Sequence, residues 1–288
     1  MFDVKHLVPE VPSRQPPAGT VAYGSGVSAI ESTTNTRIKG LVRLRKRRER
    51  DATGLFLVEG ERELESALSS REVLEIFVCE DVLTEHGARV YESVVGDRSI
   101  PVTSVSPPVL EKISLRGNPS GFVAVLRQWE APLSAIPTGR ALVLVVESIE
   151  KPGNLGGMIR SANAAGASVV VADPTTDLFN SNVIRASMGT LFTTPVAVAS
   201  TTDTMDWLDE HDIAVFATTP SATRAHSDVD LTRSCALVIG SESTGLTAAW
   251  FDREQILIPM SGTIDSLNAS VSAGIVLFEA VRQRRANR

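Results

Sequence analysis

An α/β chain, with a parallel sheet in its C-terminal half and a smaller α/β domain ahead of it, is the fold class the sequence predicts. Three observations carry that reading. Ala141–Val146, Ser168–Ala172, Ile213–Ala217, Ala236–Gly240 and Ile256–Ile258 are short β-rich apolar runs, and helical stretches separate several of them. Runs apolar on both faces that alternate with helices fit a parallel sheet covered on both sides. The composition changes at residues 129–140, WEAPLSAIPTGR, a stretch with two prolines that reads as a linker. Finally, 288 residues with 43% hydrophobic and 22% charged side chains suit two globular domains and exclude a disordered or collagen-like chain.

Residues 1–34 carry Pro, Gly, Ser and Thr without periodicity and read as a flexible arm, with ordered structure beginning near Asn35. From Arg37 to Arg50 the run RIKGLVRLRKRRER places Ile38, Leu41, Val42 and Leu44 at helical spacing and leaves the rest of the helix basic. Strands follow at Leu55–Val58, Leu74–Cys79 and Val123–Leu126, with helices at Glu61–Ser69, Leu83–Val94 and Pro108–Ile113. Residues 35–128 thus form the smaller domain and 141–288 the larger. The latter ends in a helix, Ser270–Arg285, whose Val271, Ala273, Ile275, Leu277 and Phe278 suit core and dimer packing. Its basic end complements the helix dipole.

Several functions are excluded early. Two cysteines, Cys79 and Cys235, cannot make a disulfide framework or a cysteine zinc site, and a reducing compartment fits. His6, His86, His211 and His226 share no ligand spacing, so no metal is expected. The first residues lack a signal-peptide pattern and no apolar run is long enough to span a membrane, so a soluble cytoplasmic protein is expected. Net charge is −6, yet residues 1–50 hold ten Lys and Arg against four Asp and Glu. Such asymmetry points to a polyanion. Arg43, Arg45, Lys46, Arg47, Arg48 and Arg50 are the candidate phosphate contacts, with Lys39 weaker; a solvated helix face is the alternative. Aromatic residues are few, which argues against extensive base stacking.

Ligands of open α/β sheets bind beyond the carboxyl ends of the strands, and three loops qualify. After Ala141–Val146 comes ESIEKPGNLGGMIRSANAAG, where Gly153, Gly156 and Gly157 at a strand-to-helix turn would let backbone N–H groups reach an anion, with Arg160 near the first turn. A tight turn with a surface arginine is the plainer reading. Neither a dinucleotide fingerprint nor a P-loop is present. The second loop, GSESTGL, sets Glu242 between Gly240 and Gly245; capping of a helix near Leu246 would also explain the acid. In the third, IPMSGTIDSLNAS, Pro259 fixes a turn, and Ser266 or Asn268 either caps the last helix or orients a hydroxyl.

In order and spacing PGNLGGMIRSANAAGA, LVIGSESTGL and ILIPMSGTIDSLNASVSAGIVLFEAV resemble the three motifs of the SpoU class of SPOUT methyltransferases. The N-terminal RIKGLVRLRKRRERDATGLFLVEGERELESAL is similar to that class's substrate-binding domain, which is L30e-like. Within the class the arrangement resembles the antibiotic-resistance ribosomal RNA methyltransferases. The resemblance implies S-adenosylmethionine-dependent methylation of a ribose 2′-hydroxyl, a uridine in large-subunit ribosomal RNA. It also implies a deep C-terminal trefoil knot and a homodimer. By the same resemblance Ala217, Thr218, Thr219, Gly240, Ser241, Glu242, Gly245, Ile258, Met260, Leu267 and Asn268 hold the cofactor. Asn154, Arg160, Glu242 and Asn268 match the catalytic positions. The competing readings are the same chemistry on transfer RNA, a catalytically silent RNA-binding protein, and a dinucleotide-dependent reductase that lacks its fingerprint.

Overall fold

The computed structural model describes residues 29–97 and 100–287. Most of the arm, residues 1–28, lies outside the described residues. Order begins before Asn35: Ile30 is buried and bridges Val105, because its apolar side chain covers a sheet edge.

The first domain comprises α1 (Thr36–Arg43), α2 (Arg47–Thr53), β1 (Leu55–Glu59), α3 (Glu61–Leu68), β2 (Val73–Val78), α4 (Glu85–Asp97), β3 (Val102–Ser104), α5 (Pro107–Ile113) and β4 (Phe122–Arg127). Its sheet runs β1-β4-β2-β3, with β4 antiparallel to β1 and β2, and β3 parallel to β2. The strand β3 escapes a sequence reading because it is three residues long with Thr103 at its centre.

The basic stretch is two helices, not the single one expected. They break at Leu44–Lys46, and the cause is tertiary. Arg50 is only 4% exposed; its Nη1 donates to the carbonyls of Leu44 and Arg45, satisfying groups the break releases. Its remaining nitrogens pair with Asp177 of the second domain. Arg50 is therefore withdrawn from the RNA-facing set that the sequence suggests.

In the second domain follow β5 (Leu142–Glu147), α6 (Pro152–Ala165), β6 (Ser168–Ala172), α7 (Ser181–Ser187), β7 (Val196–Ala199), α8 (Thr201–Glu210), β8 (Ala214–Thr218), β9 (Arg224–Ala225), β10 (Cys235–Ile239), β11 (Glu254–Leu257) and α9 (Ala269–Ala286). All seven strands are parallel in the order β7-β6-β5-β10-β8-β11-β9. Strands β5, β6 and β10 are buried at every residue, which is why they read as unbroken apolar runs. Late in the chain, β10 inserts between β5 and β8.

One apolar core runs through both domains, joining Phe56, Leu64 and Phe122 to Leu144, Ile159 and Leu237. At the seam Phe56 meets Phe179 at 4.9 Å, and Trp129 meets Phe179 edge-on at 4.7 Å between ring centroids. The Arg71 guanidinium lies 4.2 Å from the Trp129 ring centroid. The stretch 129–140 is fastened as well: Ala131 accepts from Val198 N at 2.7 Å, and Ile136 is buried.

Candidate active site

The glycine-rich segment after β5 is helical from its start. Pro152 opens α6, where its fixed φ and missing N–H cost nothing. Gly153, Gly156 and Gly157 thus lie inside the helix rather than in an anion-cradling turn, and Arg160 sits well past the first turn. Close packing explains Gly156: a Cβ there would overlap the Val183 carbonyl and the Ala186 side chain of α7. No side chain larger than hydrogen fits between the two helices.

Three of the four candidate catalytic residues converge. The Asn154 side-chain amide donates to Glu242 Oε1. Asn268 Nδ2 donates to Asn154 Oδ1 at 3.1 Å and to Glu242 Oε1 at 3.2 Å. Asn268 also caps α9: its Oδ1 accepts from Ser270 N at 3.0 Å and Ser270 Oγ at 2.6 Å. Capping and site geometry are thus one arrangement. Glu242 caps no helix, since only a short 3-10 turn, Ala248–Trp250, follows its loop.

Sequence reasoning missed Lys151, whose Nζ lies 2.8 Å from Glu242 Oε2. That carboxylate raises the Lys151 pKa, so the ammonium stays charged. Also missed was Glu147, fully buried at the end of β5. It accepts from Thr201 Oγ1 at 2.9 Å, Thr247 N at 2.8 Å, Thr247 Oγ1 at 2.7 Å and Trp250 Nε1 at 2.8 Å. A carboxylate closing the run LVLVVE was its visible signal. Those bonds pin the exit of the Glu242 loop, and Ser243 Oγ, which donates to Glu150 at 3.1 Å, pins its tip.

Arg160 stands apart from the cluster. It is exposed on another face of α6, in a depression shared with Gly157, Ala186, Ser270 and Phe278. Ser270 links the two places, bonding Asn268 on one side and facing Gly157 on the other. Among the described residues Arg160 has no hydrogen-bond or ion-pair partner.

The other candidate positions gather along the carboxyl ends of β10, β8 and β11. Thr218 pairs with Ile239 on one side and Ile256 on the other, so Ala217, Thr218, Thr219, Gly240 and Ile258 stand in one row. A Cβ at Gly240 would overlap the backbone of Gly245, which bridges Ser241 across a tight turn with φ of 70°. Leu267 and Ile258 are half-buried, whereas Met260 is exposed. Thr218 Oγ1 is buried with no partner among the described residues. A buried hydroxyl left unpaired costs stability, so this atom has the character of a ligand contact.

Of the basic N-terminal side chains, Lys46 and Arg48 are exposed without partners among the described residues. Arg43 pairs with Glu49 and Arg47 with Asp51, while Arg45 donates to the carbonyls of Lys112 and Ser114. No group of three His, Cys, Asp or Glu among the described residues is placed to hold a metal. No described helix is long and apolar enough to cross a membrane.

The parallel sheet with β10 inserted late and the Asn–Glu–Asn cluster beyond its strand ends both lie in the part of the chain that matches a methyltransferase family. The chain belongs to that family: residues 141–278 match the SpoU rRNA Methylase family, and residues 35–124 match the MRM3-like substrate binding domain. It is 30% identical over 252 residues to the 23S rRNA (guanosine(2553)-2′-O)-methyltransferase RlmP of Bacillus subtilis, covering 86% of this chain and 97% of that one. A solved RNA 2′-O ribose methyltransferase superposes with a TM-score of 0.80 at 42% identity, over 90% of this chain and all of the other. The SpoU methyltransferase AviRb of Streptomyces viridochromogenes, solved with its cofactor AdoMet, superposes with a TM-score of 0.78 at 29% identity, covering 88% of this chain and 100% of that one.

Proposed function

We propose that the protein methylates a ribose 2′-hydroxyl of 23S ribosomal RNA with S-adenosylmethionine as methyl donor. The observation that carries this reading is the Asn154–Glu242–Asn268 cluster beside a row of strand ends that holds the unpaired Thr218 hydroxyl. When bound there, S-adenosylmethionine supplies an electrophilic methyl group. Ala217, Thr218, Thr219, Gly240, Ser241, Gly245, Ile258, Met260 and Leu267 would hold it, partly through backbone groups.

The chain's own work is positioning, which is worth a large share of the rate when two reactants must align. Glu242 accepts bonds from Asn154, Asn268 and Lys151, so it orders the loops rather than standing ready as a base. Asn154 and Asn268 orient the ribose. The Arg160 guanidinium, whose planar fork suits a phosphate and which has no side-chain partner among the described residues, takes the phosphate of the target nucleotide. Residues 35–128 hold the RNA backbone through Arg43, Arg45, Lys46, Arg47 and Arg48, and residues 141–288 carry the catalysis.

A second copy packs across α9, where Val271 and Phe278 are about half exposed and line one depression with Ile275. A chain threaded through the Glu242 loop, as a trefoil knot requires, fits the late insertion of β10. The protein acts in the cytoplasm, on a uridine, and its methyl protects the ribosome from a drug such as avilamycin. Mass spectrometry of 23S ribosomal RNA nucleosides from cells with and without the gene tests this. One 2′-O-methyluridine should vanish on deletion while drug sensitivity rises. Loss of a 2′-O-methylguanosine instead would correct the base, and no lost ribose methyl would overturn the reading.

A further inference from the structure

The short helix α7 is wedged between the domains. Its Ala186 flanks the depression that holds Arg160, and its Ser181, Asn182 and Arg185 line a small cavity with Leu115 and Arg116 of the first domain. Arg185 is exposed and bonds only the Asn182 side chain, at 2.9 Å; no described carboxylate pairs with it. Arg116 is half-buried, tied by Nη2 to the Glu59 carbonyl and to Glu63 Oε1, both at 2.9 Å. Glu59 also lines the cavity, yet its carboxylate turns inward, accepting from Ser114 Oγ at 2.7 Å and from Leu115 N. Arg185 and Arg116 thus meet at the domain seam, with Glu63 their only carboxylate partner among the described residues, and α7 also borders the depression that holds Arg160, in a chain whose net charge is −6.

We propose that Arg185, with Arg116 across the seam and Arg160 in the depression that α7 borders, forms a phosphate-binding seam that carries the RNA backbone from the second domain onto the first. The inference rests on the RNA-methylating function given above. An arginine without an acid partner sheds no ion pair when it meets a phosphate, and its fork matches phosphate geometry. Contacts of this kind fix the register of an RNA without reading its bases. The seam joins parts that a shared core already holds at fixed separation, so the distance from target ribose to the first domain is built in. It also supplies cationic contacts where Arg50 is withdrawn into the protein.

The test uses the full-length protein and a 23S ribosomal RNA transcript, with the affinity measured across a range of salt concentrations. Arg185→Ala should weaken binding several-fold and make the slope of log affinity against log salt shallower by about 0.7 to 0.9. Arg185→Lys should retain most of the slope, and S-adenosylmethionine affinity should be unchanged in both. An unaltered affinity and slope in Arg185→Ala, or a Lys variant as weak as the Ala variant, would overturn the seam. Methyl transfer by the unsubstituted protein is scored separately: its absence sinks the parent function, whereas its presence with an unaltered Ala variant sinks the seam alone.

Discussion

At the scale of single residues, Glu242 is the hub of the proposed site. Its carboxylate accepts from Asn154 and Asn268 on one oxygen and faces Lys151 on the other, and these contacts differ in worth. The Asn154 bond is partly buried and the Asn268 bond is exposed, and bonds to a charged group contribute about 1.5–3 kcal/mol. The Lys151 pair is two-thirds exposed on the lysine side, and solvent screens such pairs. Glu242→Ala is therefore expected to lower kcat by about ten- to a hundredfold, and Lys151→Met by less than about fivefold. Steady-state kinetics with saturating S-adenosylmethionine check both, and a Lys151 effect equal to that of Glu242 would reverse the ranking. Glu242 was visible in the sequence because an acid between two glycines at a strand end is unusual turn chemistry. Lys151 was not visible, since one lysine in a polar loop looks like any other and only the fold sets it against Glu242.

At the scale of elements, legibility follows the cause of each element. Strands β5, β6 and β10 are fully buried and were readable from hydrophobicity alone. The start of α6 is hidden in the sequence because glycine is a poor helix former, and the reason for Gly156 there lies in α7, some thirty residues on. The break between α1 and α2 was equally hidden, being set by an arginine whose partner, Asp177, lies far along the chain. The Glu242 loop depends on a close approach of the same kind. Gly240 faces the backbone of Gly245, which cannot retreat while Ser241 and Gly245 bond each other. Gly240→Ala should therefore displace the loop and abolish S-adenosylmethionine binding by calorimetry, whereas Gly139→Ala, whose Cβ would meet nothing, should leave it intact. Binding retained in Gly240→Ala would show that the loop is not part of the cofactor site.

Across the whole molecule, the two domains behave as one body because a continuous core and the Arg50–Asp177 pair join them. Removing one member of a buried pair strands the other and costs about 3–5 kcal/mol. Arg50→Met should lower the unfolding free energy in urea by that order, and adding Asp177→Leu should recover much of the loss. An Arg50 that instead bound RNA from an exposed face would lose affinity with no change in stability. On the proposed function the joint matters, since it fixes how far the first domain stands from the Asn154–Glu242–Asn268 cluster. The most direct measurement of the central claim is transfer of tritiated methyl from S-adenosylmethionine to ribosomal RNA and, in parallel, to transfer RNA, both taken from cells lacking the gene. Label in 23S ribosomal RNA that survives alkaline hydrolysis as a dinucleotide is the predicted result. Label confined to transfer RNA, or to alkali-labile nucleotides, would contradict it.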